Sequence, residues 1–377
     1  MGALFLAGKI DPMERRTFLR SSGALAAGAA VVSGCAQSDC ASEGAASEPV
    51  RNWKMVTSWP QNFPGLGSGA TDLAQAITDM SGGRLNVKVY GAGDLVPAFE
   101  VFDAVSSGTA EMGHSGAYYW KGKSAALQFF SAIPFGLNGQ AMNGWLYQGG
   151  GLELWTEIYD KFDLVPFPAG NSGVQMGGWF NKPINKIEDL KGLKMRMPGL
   201  GAEVLKRAGG TPVTLPGAEL FTALEAGTID ATEWVGPYND RAFGLYQAAK
   251  YYYYPGWHEP GTTLECMVNK TAFNALPSDL QSIVRHACRS VNDTMAAEFT
   301  AQNAAALVEL KKNPDIDIRP FPQPVLKYLR ELSVQVVEDI ASGDPQFRRV
   351  LESYLAFGEA ARQWNEISEV AYAGAGR

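Results

Sequence analysis

The sequence predicts an α/β fold of two domains with a hinge, followed by a long helical C-terminal segment. Three observations support this prediction. A length of 377 residues suggests roughly two domains of ordinary size. Strand-like and helix-like segments alternate from residue 51, and this alternation restarts at residue 173, as expected for two α/β units. Beyond Pro277 the pattern is largely helical.

The first domain is predicted to alternate between strands and helices. A period of two indicates a strand, and apolar residues three or four apart indicate a helix. On these criteria the segments are a strand over 51–58, a helix over 71–80, a strand over 84–90, a helix over 99–105 and a short strand near 110–114. This order is typical of a largely parallel sheet, in which ligands lie beyond the carboxyl ends of the strands. Tyr118, Tyr119 and Trp120 fall at such an end.

An apolar connection leads into the second domain. It comprises a loop over 129–138, a helix over 142–159 and a crossing strand over 164–167. The alternating pattern then restarts. The predicted elements are strands over 173–180, 193–197 and 212–215, helices over 201–208 and 216–227, and a strand over 229–235 that runs back toward the first domain.

The chain is predicted to cross between the domains more than once. Residues 251–254 and 257–261 are interpreted as loop, and a strand over 264–268 is expected to return to the first sheet. Several crossings form a hinge rather than a loose linker. The predicted domains are therefore 51–172 with 262–300, and 173–261 with 301–330.

The C-terminal part is predicted to consist of helices over 278–311, 325–341 and 345–372. The last of these carries an apolar stripe from Phe347 to Phe357. Such a stripe packs on the protein's own core or, at the end of a chain, on a partner subunit. Residues 331–377 are assigned to this C-terminal helical segment.

Composition argues against two classes of function. A formal net charge of −7 and a pI near 5.2 are the opposite of the basic face that nucleic acid requires. Only three histidines occur, without the HExxH spacing of a zinc enzyme. We therefore expect neither a nucleic-acid partner nor zinc catalysis.

The first 50 residues predict export. Arg15-Arg16 forms a twin-arginine pattern, and an apolar run over 23–32 has the length of a signal sequence rather than of a membrane span. Cys35 ends a run that resembles a lipobox, in which the cysteine is lipidated after cleavage; the alternative is an ordinary cut near residues 45–46. Cys266 and Cys288 either pair in this oxidising compartment or remain buried free thiols.

Two polar side chains stand out in the strands of the second domain. Arg196 faces away from its apolar neighbours just before Pro198 ends the strand, where a guanidinium can hold a carboxylate through two parallel N–H bonds. The alternative is an exposed arginine on the sheet. Gln175 lies in a run of glycine and apolar residues and offers an amide oxygen to a cation. Its alternative is a half-exposed strand residue.

Two acidic residues raise an electrostatic question. Glu233 and Glu259 would repel an anionic ligand unless they face away or a cation lies between them and the ligand. Carboxylate, amide and backbone carbonyl oxygens suit Na⁺ or Ca²⁺. A 2-oxo or 2-hydroxy acid would offer such a cation two oxygens in chelating geometry.

These residues resemble those of a known family. Residues 187–196, 216–233, 233–238 and 251–259 are similar to the corresponding runs in the extracytoplasmic solute receptors of TRAP transporters, the DctP-like family, and most of all to its 2-oxo acid branch. The resemblance implies a periplasmic binding protein-like fold that closes around its ligand. It also implies that a membrane permease is the partner, and that the C-terminal helix is exchanged within a homodimer.

The same resemblance implies roles for individual residues. Arg196 pairs with the ligand carboxylate, and a cation, Na⁺ or Ca²⁺, is bound by the remaining set. That set comprises Gln175, Glu233, the Trp234 backbone and Glu259. Tyr119 and Phe135 are implied as walls of the cleft.

Three classes of function are compatible with this chemistry to different degrees. The first is a receptor for a pyruvate-like 2-oxo acid, or for lactate or another 2-hydroxy acid with Ca²⁺. The second is an exported metal-dependent enzyme acting on 2-oxo acids, against which stands the lack of an evident general base in the sequence. The third is an ABC-type sugar or peptide receptor, which the surroundings of Arg196 disfavour. The sequence therefore predicts a binding protein rather than an enzyme.

Overall fold

Two mixed β-sheets and their surrounding helices make up the part of the protein that the computed structural model describes, residues 49–375. The predicted α/β class is therefore confirmed. The strands in this part are β1 (Arg51–Thr57), β2 (Leu85–Tyr90), β3 (Met112–Ser115), β4 (Leu164–Asn171), β5 (Gly178–Phe180), β6 (Lys194–Arg196), β7 (Thr211–Val213), β8 (Ala231–Thr232), β9 (Tyr251–Tyr254), β10 (Thr263–Asn269) and β11 (Asp317–Pro320).

Helices connect and follow these strands. The α-helices of the described part are α1 (Leu66–Met80), α2 (Val101–Ser106), α3 (Gly139–Gln148), α4 (Gly151–Asp160), α5 (Gly199–Arg207), α6 (Leu220–Glu225), α7 (Pro237–Ala242), α8 (Leu245–Ala248), α9 (Lys270–Asn274), α10 (Ser278–Leu310), α11 (Gln323–Gly343), α12 (Pro345–Asn365) and α13 (Ala371–Ala375). A π-helical turn, Glu366–Val370, joins the last two.

The first sheet has the strand order β2–β1–β3–β10–β4. Strand β1 pairs in parallel with β2 and β3, whereas β10 is antiparallel to β3 and to β4. The predicted return of residues 264–268 to this sheet is confirmed. The sheet is mixed rather than largely parallel, because β10 enters it from the opposite direction.

The second sheet has the order β11–β9–β5–β8–β6–β7. Strand β8 lies inside it and is shorter than the strand predicted over 229–235. Beyond β8, Trp234 contacts Trp59 and Phe63, which follow β1, so the segment does run toward the first sheet. Only Ala231 and Thr232 are extended, and the chain then leaves the sheet. Residues 251–254, interpreted as loop, form β9 instead. Aromatic residues favour strands, and Tyr252 and Tyr253 are fully buried there.

Glycine positions account for two further differences. The single helix predicted over 142–159 is two helices, α3 and α4. Gly150, between them, has a φ of +84°, a left-handed conformation that an α-helix cannot continue through. The strand predicted over 173–180 is restricted to β5, since the glycine-rich segment before Gly178 forms a loop. Gln175 therefore lies in a loop, not on a strand.

The long helix predicted over 278–311 is confirmed as α10, with 33 residues. It packs against α1 and β4 on the side of the first sheet, and also against α7, which follows the second sheet. Cys288 on α10 and Cys266 on β10 are buried free thiols. Helix α10 therefore packs against elements that belong to both sheets.

The last long helix, α12, is buried on one side over its first half. Phe347, Val350, Leu351 and Tyr354 are at most 3% exposed. The Tyr354 hydroxyl accepts a hydrogen bond from Leu137 N at 2.7 Å. This half of the apolar stripe therefore packs on the protein's own core.

The distal half of the C-terminal segment differs in exposure. Trp364, Ile367, Val370 and Tyr372 are between 56% and 81% exposed. No helix within residues 49–375 combines the length and apolarity that a bilayer crossing needs. The twin-arginine pattern and Cys35 lie outside the described residues, and the predicted domain boundaries stay a prediction.

Candidate functional site

Arg196 ends β6 and is almost completely buried, with 1% of its surface exposed. Its Nε donates to Leu215 O at 3.2 Å, its Nη2 donates to Tyr119 Oη at 3.3 Å, and its Nη1 donates to the Glu233 carboxylate. The guanidinium lies 5.1 Å from the Trp234 ring centroid. Burial lowers the pKa of Arg196, but the Glu233 charge together with Tyr119, Tyr118 and Glu259 raises it by more, so the pKa is raised and the side chain stays charged.

Glu233 reaches Arg196 because their strands are parallel neighbours. Arg196 pairs with Thr232 across β6 and β8, which places Glu233 one residue beyond the carboxyl end of β8. Its Oε1 contacts Arg196, and its Oε2 lies 3.3 Å from His258 Nε2. The side chain is fully buried. The two carboxyl ends therefore meet at the edge where α/β sheets bind ligands.

Gln175 and Glu259 form the second half of the site. Gln175 Nε2 donates to Glu259 Oε2 at 2.8 Å, and Thr262 Oγ1 donates to the same oxygen at 2.7 Å. The two residues are 5% and 4% exposed. Burial, followed by the nearby Glu233 charge, raises the pKa of Glu259 to about 7.

The oxygen and nitrogen atoms of this group are close enough to share one cation. One atom from each of Glu233, His258 and Glu259 lies within 4.8 Å of the others. Gln175 Oε1 is buried without a hydrogen-bond partner among the described residues, which is unfavourable unless something else binds it. Two carboxylates and an unpaired amide oxygen fit a hard cation such as Na⁺ or Ca²⁺.

Aromatic side chains from both sheets surround Arg196. Tyr119, in the 3₁₀ turn Ala117–Trp120 after β3, lies against Phe99 at 4.9 Å between ring centroids. Trp234 meets Trp59 edge to face at 6.2 Å. Burial raises the pKa of Tyr119, so its hydroxyl is neutral and interacts as a hydrogen-bonding group.

Most of the predicted site residues come together, and Phe135 lies apart from them. Arg196 contacts Glu233, Trp234 and Tyr119, and Gln175 contacts Glu259. Phe135 instead stacks on Trp257 at 5.7 Å, below the Arg330 guanidinium, and lines a cavity of about 440 Å³ near the surface.

His258 is the functional candidate that sequence reasoning missed. It is 2% exposed, and its Nδ1 is buried without a partner among the described residues. The available signal was its position directly before Glu259. Nothing local in the sequence indicates that its ring faces Glu233, because these residues are 25 positions apart.

Comparison with known proteins identifies the family. Residues 55–344 match the model of the bacterial extracellular solute-binding proteins, family 7. Over 360 residues the chain is 44% identical to a monocarboxylate 2-oxoacid-binding periplasmic protein of Nostoc sp., covering 96% of this chain and 98% of that protein.

Two solved structures are similar over nearly their whole length. Both are TRAP periplasmic solute-binding proteins, one from Colwellia psychrerythraea with bound calcium and pyruvate, the other from Pseudoalteromonas atlantica with bound sodium and pyruvate. Each is 42% identical, with a TM-score of 0.84, and the alignments cover 86% of this chain and 99% of theirs. The chain thus belongs to family 7 of the bacterial extracellular solute-binding proteins, the DctP-like receptors of TRAP transporters.

Proposed function

We propose that this protein captures a pyruvate-like 2-oxo monocarboxylate together with Na⁺ or Ca²⁺ and delivers it to the membrane permease of a TRAP transporter. The observation that carries the proposal is the placement of the buried Arg196 beside a buried set of oxygen donors. The guanidinium suits the ligand carboxylate. The calcium or sodium held with pyruvate in the two similar structures supports the same pairing of acid and cation.

The proposed roles follow from charge. Arg196 binds the ligand carboxylate, while Gln175, Glu233, the Trp234 backbone carbonyl and Glu259 hold the cation. A bound cation supplies the positive charge that offsets the repulsion between two buried carboxylates and an anionic ligand. Tyr119 and the Trp234 ring limit the size of the ligand, and Phe135 contributes an outer wall.

Isothermal titration calorimetry with pyruvate, lactate and longer 2-oxo acids tests this proposal. Each acid is titrated with Na⁺, with Ca²⁺ and with a chelator in low-sodium buffer. We expect saturable, cation-dependent binding of pyruvate, which is recovered unchanged. Tighter binding of lactate would identify a 2-hydroxy acid receptor instead, and product formation would indicate an enzyme.

Substitution of the arginine tests the site itself. Arg196→Lys retains the charge but cannot reproduce the fork of N–H donors, so we expect pyruvate affinity to fall at least about 10-fold. Arg349→Lys is the matched control, because Arg349 is exposed on α12 and pairs with Glu157 away from the site. Unchanged affinity in a folded Arg196→Lys protein would remove Arg196 from the site.

We further propose that the two sheets belong to two domains, 51–172 with 262–300 and 173–261 with 301–330, that close around the ligand. The chain passes between the sheets after β4, after β9 and after β10. Three connections favour a hinge motion. Small-angle scattering with and without pyruvate and cation should show a decrease in radius of gyration; an identical profile would argue against closure.

A homodimer through residues 331–377 is proposed from the exposed distal half of the C-terminal segment. Trp364, Ile367, Val370 and Tyr372 leave a large apolar area in contact with water. Light scattering after size exclusion should give twice the chain mass. Ile367→Asp should convert the dimer to a monomer, and a parent protein that is monomeric at high concentration would contradict the proposal.

Export by the twin-arginine route and lipidation at Cys35 are proposed from the first 50 residues alone. Replacing Arg15 and Arg16 by lysine should leave the protein in the cytoplasm. Cys35→Ser should release it from the membrane fraction, and an unchanged distribution would argue for an ordinary signal cleavage.

A further inference from the structure

A single buried carboxylate holds the loop that follows β8. Asp240, on α7, is 1% exposed. Its Oδ1 accepts hydrogen bonds from the backbone N–H groups of Val235 and Gly236, each at 3.1 Å. Its Oδ2 accepts from Trp179 Nε1 at 3.1 Å and from Tyr252 Oη at 2.8 Å. A carboxylate offers about four acceptor positions, and all of them are used here.

The four donors come from three separate elements. Trp179 lies on β5 and Tyr252 on β9, and their rings stack at 4.0 Å between centroids with an interplanar angle of 13°. Both strands belong to the second sheet. Asp240 therefore fixes the loop to a rigid part of this sheet rather than to another loop.

The fixed loop carries two of the proposed cation ligands. Glu233 and Trp234 directly precede the two amides that Asp240 holds. The Val235 carbonyl accepts a hydrogen bond from Met176 N at 3.0 Å, next to Gln175. Val235 therefore connects the two loops that supply these ligands: its N–H donates to Asp240, and its carbonyl accepts from the loop of Gln175.

We propose that Asp240 is a positioning residue of the cation site, which sets the geometry of the Glu233 carboxylate and the Trp234 carbonyl without touching the cation. This inference rests on the proposed function. Replacing a residue that orients metal ligands typically lowers metal affinity about 10- to 100-fold, since a ligand that moves must be ordered again on binding. Asp240 acts on the backbone that carries the ligands.

The test is Asp240→Asn, whose amide nitrogen cannot accept the hydrogen bonds that the lost oxygen accepted. Pyruvate is titrated calorimetrically at increasing NaCl or CaCl₂. We expect the cation concentration at half-maximal pyruvate binding to rise about 10-fold or more. Thermal unfolding without pyruvate, in the same buffers, measures the structural effect separately.

Trp179→Phe and Tyr252→Phe are the matched controls. Each removes one donor on the sheet side of Asp240 and leaves both loop amides paired. We expect these variants to unfold at a lower temperature while their cation dependence stays within about 2-fold of the parent, well below the effect expected of an orienting residue. A positioning role and a stabilising role are thereby separated.

Three results would decide the matter. A folded Asp240→Asn protein with the parent's cation dependence overturns the proposal, as does an equal loss of cation affinity in all three variants. If Asp240→Asn does not fold, the double variant Asp240→Asn/Trp179→Phe removes the indole N–H that the new amide would face, and the same criterion applies to it. A parent protein that binds no pyruvate with either cation would instead refute the proposed function.

Discussion

Glu233 joins two basic side chains at the centre of the site. Its Oε1 contacts Arg196 and its Oε2 lies 3.3 Å from His258 Nε2, and none of the three is more than 2% exposed. Removing Arg196 or Glu233 from their buried ion pair leaves an uncompensated charge and costs about 3–5 kcal/mol. Each substitution here therefore affects both folding and binding, and the two must be measured together.

We predict that His258→Leu weakens cation binding. Leucine fills a similar volume but cannot contact the Glu233 carboxylate, so this ligand loses the partner that holds one of its oxygens. The sodium or calcium concentration needed for half-maximal pyruvate binding should rise about 10-fold. Calorimetry measures it, with His286→Leu as the control because His286 is exposed on α10. An unchanged requirement for cation would show that His258 only packs.

At the scale of elements, local pattern predicted the presence of the strands but not the loops. The alternation around Arg196 predicts β6 from neighbouring residues alone, whereas the strand predicted over 229–235 is restricted to β8. The position of Gln175 could not be predicted in this way, because its backbone is held by Glu259 and Gly256 from distant parts of the chain. The contact of His258 with Glu233 likewise depends on the packing of the loop after β9 against the end of β8.

Close contact between two loops gives a prediction for Gly256. Its N–H donates to Gln175 O at 2.8 Å, and a Cβ at this position would lie 2.4 Å from that oxygen. Gly256→Ala should force the loops apart and lower the free energy of unfolding by about 1–3 kcal/mol. It should also raise the cation concentration needed for half-maximal pyruvate binding. Chemical denaturation and calorimetry measure the two effects.

The control for Gly256 is Gly343→Ala at the end of α11. A Cβ at Gly343 meets nothing within 4 Å, and alanine is the better helix former, so stability should hold or rise slightly. Equal stability of the two alanine variants would show that the loops adjust at no cost.

The molecule as a whole buries several carboxyl groups away from its surface. Glu265 is fully buried on β10, where Trp120 Nε1 donates to it at 2.6 Å and Tyr159 Oη at 2.5 Å. Burial raises the pKa of Glu265 from 4.5 to about 7, against the lowering effect of these two hydrogen bonds. Glu265 therefore binds a proton more tightly in the folded state than in the unfolded chain.

We predict that Glu265 makes a contribution to the free energy of unfolding that is lost as the pH rises from about 4.5 to about 7, and that Glu265→Gln removes this contribution from the pH profile of the parent. In this range the folded protein holds a proton on Glu265 that the unfolded chain has already lost, so the contribution is complete below the unfolded pKa and is lost up to the folded one. Burial lowers the pKa of His114 to about 4, which acts in the opposite direction but is common to the parent and the variant. A shift from 4.5 to about 7 corresponds to at most about 3 kcal/mol. Urea denaturation across this pH range measures the slope. The exposed Glu352→Gln on α12 is the control. A Glu265→Gln protein with the parent's slope would show that Glu265 stays ionised in the folded state.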